Sequence, residues 1–439
     1  MSELQRALRT RDLFALTVNG VIGSGIFFMP GLIAELLGPL SLVVVLLCVA
    51  LAFLLSLCFA EAASYFTGTG GPYLYARTAF GPFVGFQVGW MTVVLRIISW
   101  SASLSALAVA AAFIFPVFAS GWPRAALIVG VTLFLVITNV RGVRSGARLA
   151  TGVTVIKLAA LVLFVGIGLF AIDLEKMQPL TPKGWGGFGE SVLLFFYACV
   201  GFEWTTIPAG ETRDPKRSVA RALLSAMVII CLLYLAVQSI VLGTVTEFAG
   251  EQNAVALSAS TFLGSQGAFL VACLVLVSLL GFVSSQAVIV PRSLYALAEQ
   301  GELPPWLSRV HPVFQTPANA IWVSAALALA IFFSGSFKEL ALLSVIARFA
   351  QYIPTCLALP RLRKMHPTHE GFRLPSVIPI LAIGLCVAFL IGAKPKQLFM
   401  GMAAALLGIP LYYGMRAWGR RQQITQLDES QNQDEVRAV

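Results

Sequence analysis

Apolar residues fall along this chain in long blocks separated by short polar stretches. Twelve blocks can be marked, near residues 13–37, 40–66, 82–118, 124–140, 149–172, 188–210, 219–245, 267–297, 318–335, 339–360, 375–393 and 397–417. A helix of about 20 apolar residues crosses a bilayer core, so the pattern predicts an all-α integral membrane protein with twelve transmembrane helices. Two blocks break their own rule. In the first, Asn19-Gly20-Val21-Ile22-Gly23-Ser24-Gly25-Ile26-Phe27 places three glycines and a serine within six residues. Glycine weakens a helix interior by about 1 kcal/mol relative to alanine. The helix is therefore expected to stop near Val21 and restart near Ile26. Irregular backbone at membrane depth is tolerated where it lines a cavity or meets protein. The restarted half would offer free N–H groups and a positive dipole end, which suits the carboxylate of a small substrate. The competing reading is a small-xxx-small packing face from Gly20 to Ser24.

The sixth block repeats this grammar. In Phe195-Phe196-Tyr197-Ala198-Cys199-Val200-Gly201-Phe202-Glu203-Trp204-Thr205-Thr206, a glycine, an acid and two threonines interrupt an apolar run. An ionisable residue at that depth is a functional candidate, here for proton exchange; the alternative is a structural partner for a neighbouring helix. Interruptions in blocks one and six point to two five-helix halves of opposite orientation, with a site between them. Between the blocks, Tyr73–Phe80 is expected as a short helix, Glu211–Ser218 as a capped helix start, and the chain beyond about Leu427 as a polar tail without fixed structure.

Composition sharpens the class. The chain has 439 residues, 58% hydrophobic and 11% charged, far too apolar for a soluble domain of this length. The basic first eleven residues and the length of the first apolar run argue against a cleavable signal peptide. The net charge of +10 raises nucleic acid as a partner, but its placement answers that. With the N-terminus inside, cytoplasmic segments hold 21 of the 30 Lys and Arg, the outside holds six, and Arg96, Lys157 and Arg348 lie within apolar blocks. This positive-inside bias places both termini in the cytoplasm of a multi-pass protein of the cytoplasmic membrane and leaves no role for nucleic acid. All seven cysteines lie in apolar blocks without a CxxC spacing, so packed free thiols are expected. The three histidines, His311, His366 and His369, fall in loops, which excludes a buried His relay or a His-based metal site. No GxxxxGK[ST], GxSxG or HExxH occurs, so neither an ATP-driven pump nor an intramembrane hydrolase is supported, and no metal or other cofactor is expected.

Four motifs together resemble the amino acid–polyamine–organocation superfamily, specifically its amino acid permeases. They are Gly23-Ser24-Gly25-Ile26-Phe27; Gly201-Phe202-Glu203 with Glu211–Arg217; Thr69-Gly70-Gly71-Pro72-Tyr73-Leu74-Tyr75; and Pro291-Arg292-Ser293-Leu294-Tyr295-Ala296 leading to Gly301, Leu303-Pro304 and Val310-His311-Pro312. The resemblance implies a leucine-transporter (LeuT-type) 5+5 inverted-repeat fold with broken helices 1 and 6. A cytoplasmic tail over 1–11 would precede a ten-helix core over 12–360, with repeats about 12–172 and 188–360. Two more helices over 361–417 and a cytoplasmic tail over 418–439 would follow.

The resemblance also implies a secondary transporter that moves an amino acid by alternating access. Ser24 and Gly25, with Gly23, would hold the substrate carboxylate. The carbonyls of Val21, Tyr197 and Val200 would receive the α-ammonium, and Tyr197 would act as an aromatic gate, unless it only packs. Lys157 matches a lysine that some sodium-independent members carry where sodium-coupled ones bind the ion, with Ser284 placed to help hold it; otherwise it snorkels to the interface. Gly20, Trp100, Phe202 and Gln286 are candidates for the side-chain pocket. The expected function is sodium-independent amino acid transport, proton-coupled or by exchange. The alternatives are a polyamine or amine carrier, or a nutrient receptor of the same fold. Expected partners are the amino acid, protons and membrane lipid.

Overall fold

The computed structural model describes residues 8–67, 70–141, 146–178, 183–248, 253–368 and 371–437. Residues 1–7 of the expected N-terminal tail, Thr69 of the third motif, Arg144 and His369 lie outside the described residues. Every long element among the described residues is a helix. In chain order these are α1 (Thr10–Val21), α2 (Gly25–Leu37), α3 (Ser41–Ser64), α4 (Pro72–Phe80), α5 (Pro82–Ile114), α6 (Gly121–Arg141), α7 (Gly146–Gly168), α8 (Phe188–Cys199), α9 (Pro215–Thr244), α10 (Ala254–Glu299), α11 (Ala318–Phe332), α12 (Phe337–Met365), α13 (Val377–Ile391) and α14 (Pro395–Arg437). A 3-10 stretch, Phe202–Glu211, follows α8. Among the described residues, seven helical stretches are long and apolar enough to cross a membrane, and four shorter apolar helices accompany them. A multi-pass membrane protein follows.

Local chemistry sets several boundaries. The Asp12 carboxylate accepts the Arg9 N–H at 2.9 Å and anchors the start of α1. Ser336 and Glu339 form a reciprocal capping box at the start of α12, with bonds of 3.3 and 3.0 Å. Asn253 caps α10 by accepting the Ala256 N–H at 3.1 Å. The start of α9 differs from expectation. Asp214 occupies its N-cap but makes no side-chain cap bond; Pro215, with its φ already helical, opens the helix instead. α10 carries a short helix from Ala254 ahead of a kink at Gly264, whose φ is 69°, and the longer helix after the kink fits the block expected near 267–297. The C-terminal tail also departs from expectation, because α14 runs on to Arg437. Gly419 is the last glycine or proline before its end, and the polar residues beyond it are mostly good helix formers.

The core is a bundle in which α3 packs on α9, α5 lies between α10 and α12, and α7 flanks α10. α1 leans on α9, while α2 leans on α8. The outer helices turn apolar side chains outward, among them Phe134 of α6, Ile380 and Ile391 of α13, and Phe399 and Leu406 of α14. That is the reverse of a water-soluble surface and fits contact with lipid. The seven cysteines are free thiols.

Candidate functional site

The site grows out of two interruptions that face each other. α1 ends at Val21, and α2 opens at Gly25 after a three-residue break. α8 ends at Cys199; Val200 is extended, and Gly201 takes a φ of 114° before the 3-10 stretch begins. That φ favours glycine, and a Cβ on Gly201 would run into the Gly20 carbonyl, so the two breaks touch backbone to backbone.

At the first break, the C-terminal end of α1 presents carbonyls with nothing to bond in their own helix. Two side chains from distant helices meet them. The Lys157 ammonium, on α7, donates to the Ile22 carbonyl at 2.6 Å and to Asn19 Oδ1 at 3.2 Å. Tyr234 Oη, on α9, donates to the Val21 carbonyl at 3.1 Å and to the Ala198 carbonyl at 2.8 Å, bridging the two breaks. A cation at a helix C-terminus also complements its dipole. Lys157 is only 2% exposed, which removes the snorkelling alternative. Its ammonium also sits 5.6 Å from the ring centroid of Phe282 on α10. Ser284 does not hold it. That hydroxyl donates back to the Leu280 carbonyl at 2.7 Å, and the neighbouring Ser285 instead accepts from Asn19 Nδ2 at 3.4 Å. On a helix one residue is about 100° of rotation, enough to exchange the facing side chain.

On the other side of the break, the amides of Ser24, Gly25 and Ile26 at the mouth of α2 find no partner among the described residues. Gly25 lies hard against α8: a Cβ there would stand 2.5 Å from the Ala198 Cα. Of the Gly20–Ser24 packing face, Gly20 does pack closely, a Cβ there lying 2.8 Å from the Gly201 carbonyl oxygen, and Gly25 adds a second close approach beside the exposed helix start. Ser24 Oγ and Tyr197 Oη share a hydrogen bond of 3.0 Å across the gap between α2 and α8.

At the second break the buried carboxylate of Glu203 is fully partnered. Glu203 Oε2 accepts the Gly201 N–H and the Tyr352 hydroxyl, each at 2.9 Å, and Glu203 Oε1 is paired with Arg348 Nη1. Arg348 Nη2 donates to Ser99 Oγ at 2.9 Å, and Ser99 shares a 2.5 Å hydrogen bond with Ser344. Glu203 is 2% exposed and Arg348 3%, so each is the other's counter-ion in a dry setting. Arg96, another buried cation, bonds to the Ser293 hydroxyl.

A cavity lies between the breaks. Gly20, Val21, Gly23, Ser24 and Gly25 line one wall; Tyr197, Val200 and Trp204 line the second; Ser99, Phe282 and Arg348 complete it. About 20 Å³ is open to the centre of a water molecule. One water needs about 10–15 Å³ by that measure, so no amino acid fits without movement. The Tyr197–Ser24 bond closes one side. The Trp204 and Phe282 rings, stacked at 6.0 Å and 9°, close another. Thr17 and Thr205, hydrogen-bonded at 2.5 Å, latch α1 to the 3-10 stretch.

Of the expected substrate residues, Val21, Gly23, Ser24, Gly25, Tyr197 and Val200 line this cavity. Phe202 does not; it stacks on Tyr352 and meets Phe59 edge-on in the core. Gln286 and Trp100 are fully buried and lie outside the lining. Sequence reasoning missed Asn19 as a lysine partner, Tyr234 as the bridge between breaks, and Trp204, Phe282, Ser99 and Arg348 as wall residues. For Arg348 the signal was present, a cation inside an apolar block. Tyr234, Ser99 and Phe282 carry none, since hydroxyls and rings are frequent in buried helices.

Comparison with known proteins gives the family. Residues 8–406 match the family model described as amino acid permease. The chain is 26% identical to the branched-chain amino acid permease BcaP of Bacillus subtilis, over 93% of each chain. It is 28% identical to the serine/threonine exchanger SteT of the same organism, over 92% of this chain and 96% of that one. It is 27% identical to the methylthioribose transporter of that organism, over 88% of each. These relatives are transporters rather than enzymes. A family match that runs through both breaks and nearly the whole helical bundle makes this chain a member of the amino acid permease family.

Proposed function

We propose that the protein is a sodium-independent secondary carrier that moves an amino acid across the cytoplasmic membrane by alternating access. The observation that carries this reading is the first break. It has free amides on one side of the cavity and a tethered ammonium on the carbonyls at the other. The substrate carboxylate binds the amides of Ser24 and Gly25, with the dipole of α2 behind them. The carbonyls of Val21, Tyr197 and Val200 receive the α-ammonium. Tyr197 and the Trp204–Phe282 stack are the two gates, and both are shut in this conformation. Opening either one enlarges the cavity toward one side of the membrane.

In this reading Lys157 does the work that a bound sodium ion would do, by neutralising the exposed end of α1. Glu203, with all its partners in place, acts as a strut rather than a proton carrier. Coupling then runs through deprotonation of Lys157 on opening, or through exchange of one amino acid for another. A polyamine is disfavoured, because it would meet Arg348 in the cavity wall where it needs carboxylates. The helices are taken as twelve crossings in two inverted halves with both termini cytoplasmic, on the strength of the charge asymmetry.

Uptake into proteoliposomes tests the proposal. Rates should be equal in sodium and in choline buffer, and Lys157→Ala should remove most of the transport. A strict sodium requirement in the wild type, or full activity in the variant, would overturn it. Counterflow of labelled substrate separates a carrier from a receptor, which shows none.

A further inference from the structure

Two walls of the cavity carry buried donors that the fold leaves unused. Arg348 spends Nη1 on Glu203 and Nη2 on Ser99, while its Nε–H has no partner among the described residues. The indole N–H of Trp204 is likewise buried and unpartnered. Both residues line the cavity. In this closed conformation both groups are held in place. The guanidinium is held by its ion pair and by Ser99, and the indole is held by its parallel stack on Phe282 and by Gly20, packed so closely that a Cβ there would lie 3.2 Å from the Trp204 ring. A buried donor without a partner costs free energy, and water or ligand commonly completes such a group.

Both unused groups donate. The acceptors nearby are already engaged: the Glu203 carboxylate by the Gly201 amide, Tyr352 and Arg348, and the Ser99 hydroxyl by Arg348 and Ser344. A cationic side chain entering here meets no free carboxylate and faces Arg348. A purely aliphatic side chain leaves both N–H groups unmade. An acceptor oxygen satisfies them. The aromatic pair Trp204 and Phe282 limits the room beyond the backbone-binding part of the cavity, so the side chain must be short.

We infer that the site selects amino acids with a short side chain ending in an acceptor oxygen, the hydroxyl, amide or carboxylate class, through the Arg348 Nε–H and the Trp204 indole N–H. The inference rests on the amino acid carrier reading and names the substrate class of that same site.

The experiment uses the full-length protein in proteoliposomes and a labelled amino acid that it takes up. Competition is measured with isosteric pairs that differ only by hydroxyl for methyl: L-threonine against L-valine, and L-serine against L-2-aminobutyrate. L-Lysine and putrescine complete the set. Threonine should compete at least about tenfold better than valine, serine should exceed 2-aminobutyrate by a similar factor, and lysine and putrescine should compete least. Trp204→Phe keeps the stacked ring and removes one donor, and it should narrow the threonine-to-valine ratio several-fold. Equal competition within the isosteric pairs, or lysine outcompeting threonine, overturns the inference while the carrier reading stands. If Trp204→Phe does not fold, the wild-type pairs decide alone. If no standard amino acid is taken up, the carrier reading fails and this inference falls with it.

Discussion

The two helix breaks solve the same problem in opposite ways. Each exposes backbone groups in a region where water is scarce and an unpaired group is costly. The second break is closed from within its own segment, because Glu203 accepts the Gly201 N–H two residues away. The resulting buried charge is then matched by Arg348 and Tyr352 from α12. The first break is only half closed. Its carbonyls are covered by Lys157 and Tyr234, but the amides of Ser24, Gly25 and Ile26 have no partner among the described residues. One break is braced by a buried, fully partnered carboxylate and the other leaves a helix start open, so the braced one has more of a scaffold's character and the open one more of a ligand site's. The difference also separates the two buried ionisable groups. Glu203 carries three hydrogen bonds, two of them to α12 and one of these the ion pair with Arg348; Lys157 rests on one carbonyl, one amide oxygen and an aromatic face.

The strongest way to break this comparison is at the point where the two breaks touch. Gly201→Ala would force a side chain into the Gly20 carbonyl from a left-handed backbone. Strain and overpacking together amount to about 3–5 kcal/mol, so the variant should fail to yield folded protein on size exclusion in detergent. Next in size is the scaffold's ion pair. Arg348→Met leaves Glu203 buried without a counter-ion and should destabilise by about 3–5 kcal/mol, lowering the thermal unfolding midpoint. The double variant with Glu203→Gln should recover much of that loss. If Glu203 is a strut, uptake by Glu203→Gln should keep the wild-type pH profile; a flattened profile would make Glu203 a proton carrier and merge the two regions.

A smaller effect is expected at the ligand side. Lys157→Ala leaves the end of α1 without its cation, and the variant's unfolding midpoint should rise on adding sodium while the wild type's does not. Absence of any sodium response would mean that Lys157 does not stand in for an ion. Smallest is Tyr197→Phe, which removes the shared hydrogen bond with Ser24 and should cost about 1 kcal/mol while loosening one gate, read as a modest fall in midpoint.

Much of the site was legible along the chain because its backbone chemistry is local. The Gly-rich run at 20–25 and the Gly201 position mark where a helix cannot continue, and the helices end at Val21 and Cys199. The third motif was legible as a short helix, seen at Pro72–Phe80. What sequence missed are side chains brought in from elsewhere. Phe202 and Gln286 sit in the right segments, but face the core and not the cavity. Ser284 bonds within its own helix, and its neighbour Ser285 reaches Lys157 only through Asn19. In a helix that is apolar all round, no polar stripe marks which side faces a neighbour, so the rotation of α10 could not be read.

The sequence by itself therefore determined the membrane class, the helical blocks and the places where the first and sixth apolar blocks must yield. Those depend on composition and on residues within a turn of one another. Only the tertiary structure decided the partners. Lys157 meets Ile22 across 135 residues, and Arg348 meets Glu203 across 145. Such pairs form because a charge or an open helix end in a dry interior must find its complement among whatever the packing of other helices brings within reach. That packing is a property of the whole bundle, and no stretch of the chain encodes it alone.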